Sequence, residues 1–279
     1  MKKVVLMIIT ALFCGVVLTN CDSNLDMGDN GVNTDYSTDN EHIKSISANG
    51  TIVHKYLYDH SRKIVEENCL HYFKRYIYNE NDRLVKVESA FDRNMYSSTI
   101  TEQRTEFMTS QNSSADHYSL YEYDKEGRLL KIKHYFNETG KNFEYRSMQT
   151  FEYEGINIAK VNLHEPNGPI TQYHVYTYDK HGNVSNDRQY SNHFGSKDEL
   201  IRETFYEYDD YNNPYLIFKI LGSPGLLMNV NNIIGTKSTL YTDVQGVDKY
   251  SSSKTTYEYN NYGYPIKEMT ENSEFEYSY

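Results

Sequence analysis

The chain has 279 residues, 24% of them charged and 38% hydrophobic, with a formal charge of −11, 29 tyrosines and no tryptophan. An acidic balance without clustered lysine or arginine argues against nucleic acid or an anionic surface as partner, because phosphate binding needs concentrated positive charge. Three cysteines in a chain of this length also argue against a disulfide-built scaffold.

In chain order the first element is a leader. Lys2 and Lys3 precede an uncharged apolar run over residues 4–17, shorter than the ~20 residues a spanning helix needs. The run ends in Leu18-Thr19-Asn20-Cys21, which resembles the lipobox of bacterial lipoproteins, although Asn20 stands where a small residue is usual. The resemblance implies cleavage after residue 20 and a lipid on Cys21 that attaches the chain to a membrane. Cys14 lies inside the run, too early to be the cleavage point. Loss of Lys2 and Lys3 with the leader takes the formal charge from −11 to −13. Residues 22–41 hold six acids and no lysine or arginine. Such a stretch cannot bury enough surface to fold, and residues 21–41 are expected to be a tether reaching roughly 25 Å. Residues 42–279 suit one domain. Its single cysteine, Cys69, reads as a small buried hydrophobe.

That domain repeats itself. Tyr-x-Tyr occurs at Tyr56/Tyr58, Tyr76/Tyr78, Tyr121/Tyr123, Tyr176/Tyr178, Tyr206/Tyr208 and Tyr257/Tyr259, with variants at Phe151/Tyr153 and Phe275/Tyr277. The clearest copy runs Tyr121-Glu122-Tyr123-Asp124-Lys125-Glu126-Gly127-Arg128-Leu129. Alternate strand residues share a face, Asp124 can bond its own turn, and Gly127 can take the positive φ that closes a hairpin. The same slot holds Gly182, Gly263, Asp82 and Asn212, residues that tolerate positive φ. Arg62 is the misfit, and a different turn or mild strain is expected there. Asn49-Gly50 marks a further hairpin, and Glu154-Gly155 a shortened turn.

Long spacings between copies place insertions at residues 92–98, 109–116, 138–142, 165–168 and 193–199, all on the edge opposite the Asp-x-x-Gly turns. The expected fold is all-β: an antiparallel up-and-down meander of about 14–17 strands, built from repeated hairpins and curled into a strongly curved sheet or barrel. Residues 214–237, with Pro214, Gly222, Pro224, Gly225 and Gly235, break the pattern. They read as a long connection with one helical turn, packed over or into the sheet.

Tyr123-Asp124-x-x-Gly127-Arg128-Leu129 and Tyr178-Asp179-x-x-Gly182-Asn183-Val184 resemble the YD repeat of Rhs-type shell proteins. Asn213-Pro214-Tyr215, Asn231-Asn232, Tyr257-Glu258-Tyr259-Asn260 and Gly263-Tyr264-Pro265 resemble a family of Bacteroidetes lipoproteins whose domain of unknown function has a porin-like fold. That resemblance implies a soluble, strongly curved sheet or barrel displayed on the outer membrane, facing the cell surface or the periplasm, and it implies no catalytic residues.

Little else carries chemistry. Tyrosine stacking is one way to hold a sugar, but aromatic cross-strand pairs beside tight turns chiefly stabilise a sheet. Glu122, Glu152, Glu207, Glu258 and Glu276 occupy the middle slot of their copies and, with Lys86, Lys131 and Lys267, read as an ion-pair ladder on a wet face. The ten histidines lack metal-ligand spacing, and no cofactor fingerprint occurs. The leading expectation is a lipoprotein with a non-enzymatic binding or scaffolding domain, held at the membrane through Cys21, whose ligand is a glycan, a cell-envelope polymer or a protein. The first alternative is a glycosidase-like hydrolase using paired carboxylates. The second is a membrane-spanning barrel. Residues 128–136 speak against it by placing Arg128, Leu130, Ile132, His134 and Phe136 on one face and Leu129, Lys131, Lys133 and Tyr135 on the other, since charges near the midplane cost about 2–4 kcal/mol.

Overall fold

A computed structural model describes residues 41–92, 106–138, 140, 142–166, 168–192, 198–241 and 248–279. Cys21 and the expected leader and most of the tether lie outside the described residues, as do residues 93–98, 139, 141, 167 and 193–197 of the insertions.

The described strands are β1 (Ser45–Ala48), β2 (Thr51–Tyr58), β3 (Ile64–Cys69), β4 (Tyr72–Tyr78), β5 (Leu84–Phe91) and β6 (His117–Tyr123). There follow β7 (Leu129–Phe136), β8 (Glu144–Glu154), β9 (Asn157–His164), β10 (Ile170–Tyr178), β11 (Val184–Ser191) and β12 (Glu199–Asn212). The last are β13 (Asn231–Leu240), β14 (Lys249–Lys254), β15 (Thr256–Tyr259), β16 (Pro265–Met269) and β17 (Glu274–Ser278). They form one 17-stranded sheet in which chain neighbours other than β14 and β15 pair antiparallel. β14 and β15 are two halves of one run interrupted at Thr255, whose N–H donates to the Ile234 carbonyl at 2.9 Å. The first strand pairs with the last, Ser45 opposite Ser278 and Ala48 opposite Phe275. The meander thus returns on itself as a nearly closed barrel, and the ladders described all fall within one compact unit, Asp39–Tyr279.

One local device recurs. In seven strand pairs the register shifts just before the second aromatic of the copy, for example between Leu57 and Tyr58, Glu122 and Tyr123, or Thr177 and Tyr178. Tyr123 lies opposite Leu129 but Glu122 lies opposite Lys131, so Leu130 is the extra, bulged residue and is 44% exposed. The bulge turns inward the return-strand residue opposite the second aromatic, where Ile64, Leu84, Leu129, Ile158 and Val184 are buried. It also corrects the faces expected for residues 128–136: Leu129 joins Ile132 inside, and Leu130 faces out.

A second device joins the hairpins. The β3–β4 ladder spans only Glu66–Asn68, and the β9–β10 ladder ends at Lys160 opposite Val175, so neighbouring hairpins splay towards their turns. There the second tyrosine of every copy except Tyr257/Tyr259 reaches across; in that copy Tyr257 bonds the Ile233 carbonyl and Tyr259 the Asp209 carboxylate. Tyr78 donates to the Ile64 carbonyl (2.9 Å), Tyr123 to Leu84 (2.8 Å), Tyr153 to Leu129 (2.9 Å), Tyr178 to Ile158 (2.8 Å) and Tyr208 to Val184 (2.7 Å). Tyr58 bonds Ile43 and Tyr279 bonds Pro265 in the same way. The last copy is therefore Tyr277/Tyr279, not Phe275/Tyr277: Tyr277 takes the buried place and Tyr279 the stitch.

Gly127, Gly182 and Gly263 have φ of 82°, 90° and 79°, and Asp82 and Arg62 share the conformation at 59° and 62°. Arg62 closes the same turn as the others, its N–H bonding the Asp59 carbonyl at 2.9 Å, so the misfit appears as strain and not as a new turn. Asn212 does not turn at all. β12 runs through it, because Asn213 precedes Pro214 and is held extended (φ −83°, ψ 115°). The Asn213 side chain then caps a 3-10 helix, Pro214–Leu221, by accepting from the Tyr215 N–H. The expected connection is thus shorter than residues 214–237, since β13 already begins at Asn231.

This helix lies inside the barrel. Phe218 packs on Tyr56 of β2 (5.6 Å between centroids) and Tyr76 of β4 (6.5 Å), and Tyr215 meets Tyr277 of β17. A Cβ on Gly222 would stand 2.5 Å from Leu129 of β7 and 3.0 Å from Phe151 of β8. Strands so far apart round the ring share these neighbours only from within. The helix and the inward aromatics form the main core.

Candidate functional site: the open half of the lumen

The inward side chains form layers counted from the turns. The first holds the stitching tyrosines and the apolar residues opposite them. The second holds Tyr56, Tyr76, Tyr121, Phe151, Tyr176, Tyr206 and Tyr257, facing the residue three beyond the partner of the second tyrosine: Glu67, Val87, Ile132, Val161, Asp187, Thr236 and Glu268. Both layers are packed round the helix, which closes this half of the barrel.

The next layer is polar. His54, Lys74, Ser119, Gln149, His174 and Thr204 face Cys69, Ser89, His134, Leu163, Gln189 and Ser238. Beyond it Tyr72, Phe91, His117 and Phe136 continue the inner face of β4–β7, and Gln172, Ser191 and Arg202 that of β10–β12. These residues point inward yet remain wet: the side chains of His54, Lys74, His117 and His174 are 27–32% exposed. The lumen above the core is therefore a water-accessible chamber opening on the insertion-bearing edge. Cys69, with its thiol raised by burial, lies in its wall as a buried free cysteine.

Two buried carboxylates mark the floor. Glu67 accepts from Tyr72 (2.6 Å), Lys74 (3.1 Å) and Tyr76 (3.2 Å), with His54 at 3.7 Å. Burial raises its pKa, but Lys74, His54 and Tyr72 outweigh burial and hold it below the usual carboxylate range. Glu268 accepts from the Tyr277 hydroxyl, which also lies 3.2 Å from the Tyr215 hydroxyl. There burial prevails over the Tyr277 bond and pushes the carboxyl up. In the same layer Asp187 pairs with His174 of the layer above at 2.9 Å. His134 bonds Ser119 at 2.8 Å and is pushed down by burial to about 4, so its imidazole is neutral at pH 7. The sequence reading missed Glu67, Asp187 and Glu268 as interior groups. Their signal is the spacing of three from the return-strand start, which the bulge turns inward.

The acidic stripe lies outside and is a ladder. Glu122 bridges Lys131 (2.8 Å) and Lys133 (2.7 Å), Glu152 meets Lys160 and Glu207 meets Lys237. Glu258 and Glu276 flank Lys267 in register, whereas Lys86 pairs with Glu88. The insertion at residues 106–116 also lies on the outer wall, where Met108 packs with Phe73 and Ala90 and Ser110 bonds Glu66. Among the described residues no group of three or more metal-ligating side chains gathers.

No family model matches the chain, and no curated protein matches it. Among solved structures it is similar to a porin-like protein from Bacteroides vulgatus ATCC 8482, at 11% identity and a TM-score of 0.50, over 86% of this chain and 98% of that one. A porin-like protein from Bacteroides uniformis ATCC 8492 is 12% identical over 84% and 91% of the two chains, with a TM-score of 0.44. The TcdB2-TccC3 complex is 13% identical over 80% of this chain and 13% of that one, with a TM-score of 0.26. The first likeness shows a porin-like fold.

Proposed function

We propose that this protein is an envelope lipoprotein, anchored through Cys21 in the outer membrane and displayed at the cell surface, whose barrel is a non-enzymatic binding module. The observation that carries the binding role is the chamber: a lumen sealed at one half by a packed helix and left polar and wet at the other. Such a shape holds a ligand but conducts nothing. The lipobox and acidic tether support the anchoring, and the porin-like fold is compatible with it. The Glu–Lys ladders favour a barrel that stands in water, since a lipid-facing wall would desolvate every pair.

The test has two arms. A Cys21→Ala chain is expected to leave the membrane fraction, and a chain beginning at residue 22 to stay monodisperse without detergent. Retention of the first in membranes, or a detergent requirement of the second, overturns the anchoring or the soluble barrel respectively. The hydrolase alternative draws on Glu67 and Glu268, whose environments push their pKa values apart as a general acid and base require. Both are buried and hydrogen-bonded beneath the chamber, which favours a structural role.

A further inference from the structure

The chamber has two unlike walls. On β4–β7 four rings follow one another across consecutive strands: Tyr72 to Phe91 (5.8 Å between centroids), Phe91 to His117 (5.2 Å, edge-on) and His117 to Phe136 (3.9 Å). Three inter-strand steps make this arc ~14 Å long. Phe91 is 43% exposed although it faces inward. Across the lumen, β10–β13 present chiefly hydrogen-bonding groups, among them Gln172 beside Gln189 (3.5 Å) and Thr204 beside Ser238 (3.1 Å), with Arg202 in the same wall.

We propose that the chamber binds a neutral oligosaccharide, stacked on the Tyr72–Phe91–His117–Phe136 arc and hydrogen-bonded by the amides and hydroxyls opposite. This rests on the chamber being a binding site. A pyranose has an apolar C–H face and a rim of hydroxyls, and each wall answers one of them. Charge weighs towards a neutral ligand: Lys74 is already held by Glu67 at 3.1 Å and His174 by Asp187 at 2.9 Å, so an ionic ligand would have to break one of these pairs or rely on Arg202 alone.

The experiment is calorimetric titration of the chain beginning at residue 22 with neutral hexaoses of xylose, mannose and glucose. At least one is expected to bind, with affinity about tenfold weaker in both Phe91→Ala and His117→Ala and unchanged in Tyr118→Ala, an outer-wall ring. Phe91→Leu, which keeps apolar bulk, guards against misfolding and is expected to lose affinity as well. Binding that survives all the arc variants overturns the stacking platform. If no neutral hexaose binds but a uronic-acid oligomer does, and Phe91→Ala abolishes it, the neutral assignment falls; if only a peptide does, the sugar assignment falls, and in both cases the chamber stands. If none of these probes binds the folded chain, both fall.

Discussion

At the residue scale the two tyrosines of a copy do different work. The first fills the core; the second replaces the ladder where hairpins splay. Tyr123→Phe keeps the ring and removes only the bond to the Leu84 carbonyl, so it is expected to destabilise by ~1 kcal/mol in urea unfolding. Arg62 holds a left-handed conformation that costs a non-glycine residue ~1–2 kcal/mol. Arg62→Gly relieves it but frees the unfolded chain by ~0.4–1 kcal/mol, for a net gain of ~0.5–1 kcal/mol by the same measurement. Gly127→Ala should do the reverse, since its φ is 82° and a Cβ would meet Arg83 at 2.8 Å. The two floor carboxylates impose opposite pH trends. Glu67, depressed chiefly by Lys74 and His54 against burial, adds stability that is present above the ordinary carboxylate range and lost as pH falls through its lower folded pKa. Glu268 is raised by burial, so its contribution is full in acid and lost as pH rises through its higher folded pKa. Glu268→Gln is accordingly expected to flatten the decline in melting temperature between acid and neutral pH, and Glu67→Gln to flatten the decline into strong acid. Unchanged profiles would refute both assignments.

At the element scale the hairpins were legible because their signals are local: Asp124 and Gly127 close a turn by their own chemistry, and period-two alternation sets the strand. The bulge was not, because it depends on which residue opposite Tyr123 finds a partner, and that one-residue shift moved Leu129 and Glu67 to the interior. Asn212 misled for a related reason. It suits positive φ, but the following Asn-Pro and a distant set of bonds prevail. Asn183, itself 1% exposed, accepts from the N–H groups of Val230 (2.8 Å) and Asn231 (3.0 Å), while Asn229 accepts from Val184 N–H (3.1 Å) and its carbonyl from Asn213 (2.8 Å). Three of these bonds join residues 45–48 positions apart, which no local pattern reports; they pin the end of the helical segment to the β10–β11 turn, and the Asn213–Asn229 bond ties its start to that end. Asn183→Ala removes the acceptor of two part-buried N–H bonds and is expected to cost ~1–2 kcal/mol. Phe218→Ala should cost ~3–5 kcal/mol by the cavity it opens. If Asn183→Ala instead leaves the unfolding midpoint unchanged, the segment is not held by this network.

At the scale of the whole molecule, closure removes the edges that a 17-strand open sheet would expose. Only β1 and β17 effect it, through four register pairs from Ser45–Ser278 to Ala48–Phe275. β17 does more than cap an edge, since its Tyr277 also reaches Glu268 and the Tyr215 of the inner helix. A chain ending at Ser273 would leave β16 and β1 with unpaired N–H and C=O rows on opposite lips of one gap. It would also leave Glu268, already disfavoured as an ion by burial, without its phenol. Unpaired edges of this kind recruit strands from other molecules. The truncated chain is therefore expected to elute from size exclusion as dimers and larger species, while the full domain elutes as the monomer its closed ladder permits. Light scattering on the two samples distinguishes them. A truncated chain that stays monomeric with an unchanged melting temperature would mean that the barrel is held by its core helix and not by the joining of its first and last strands.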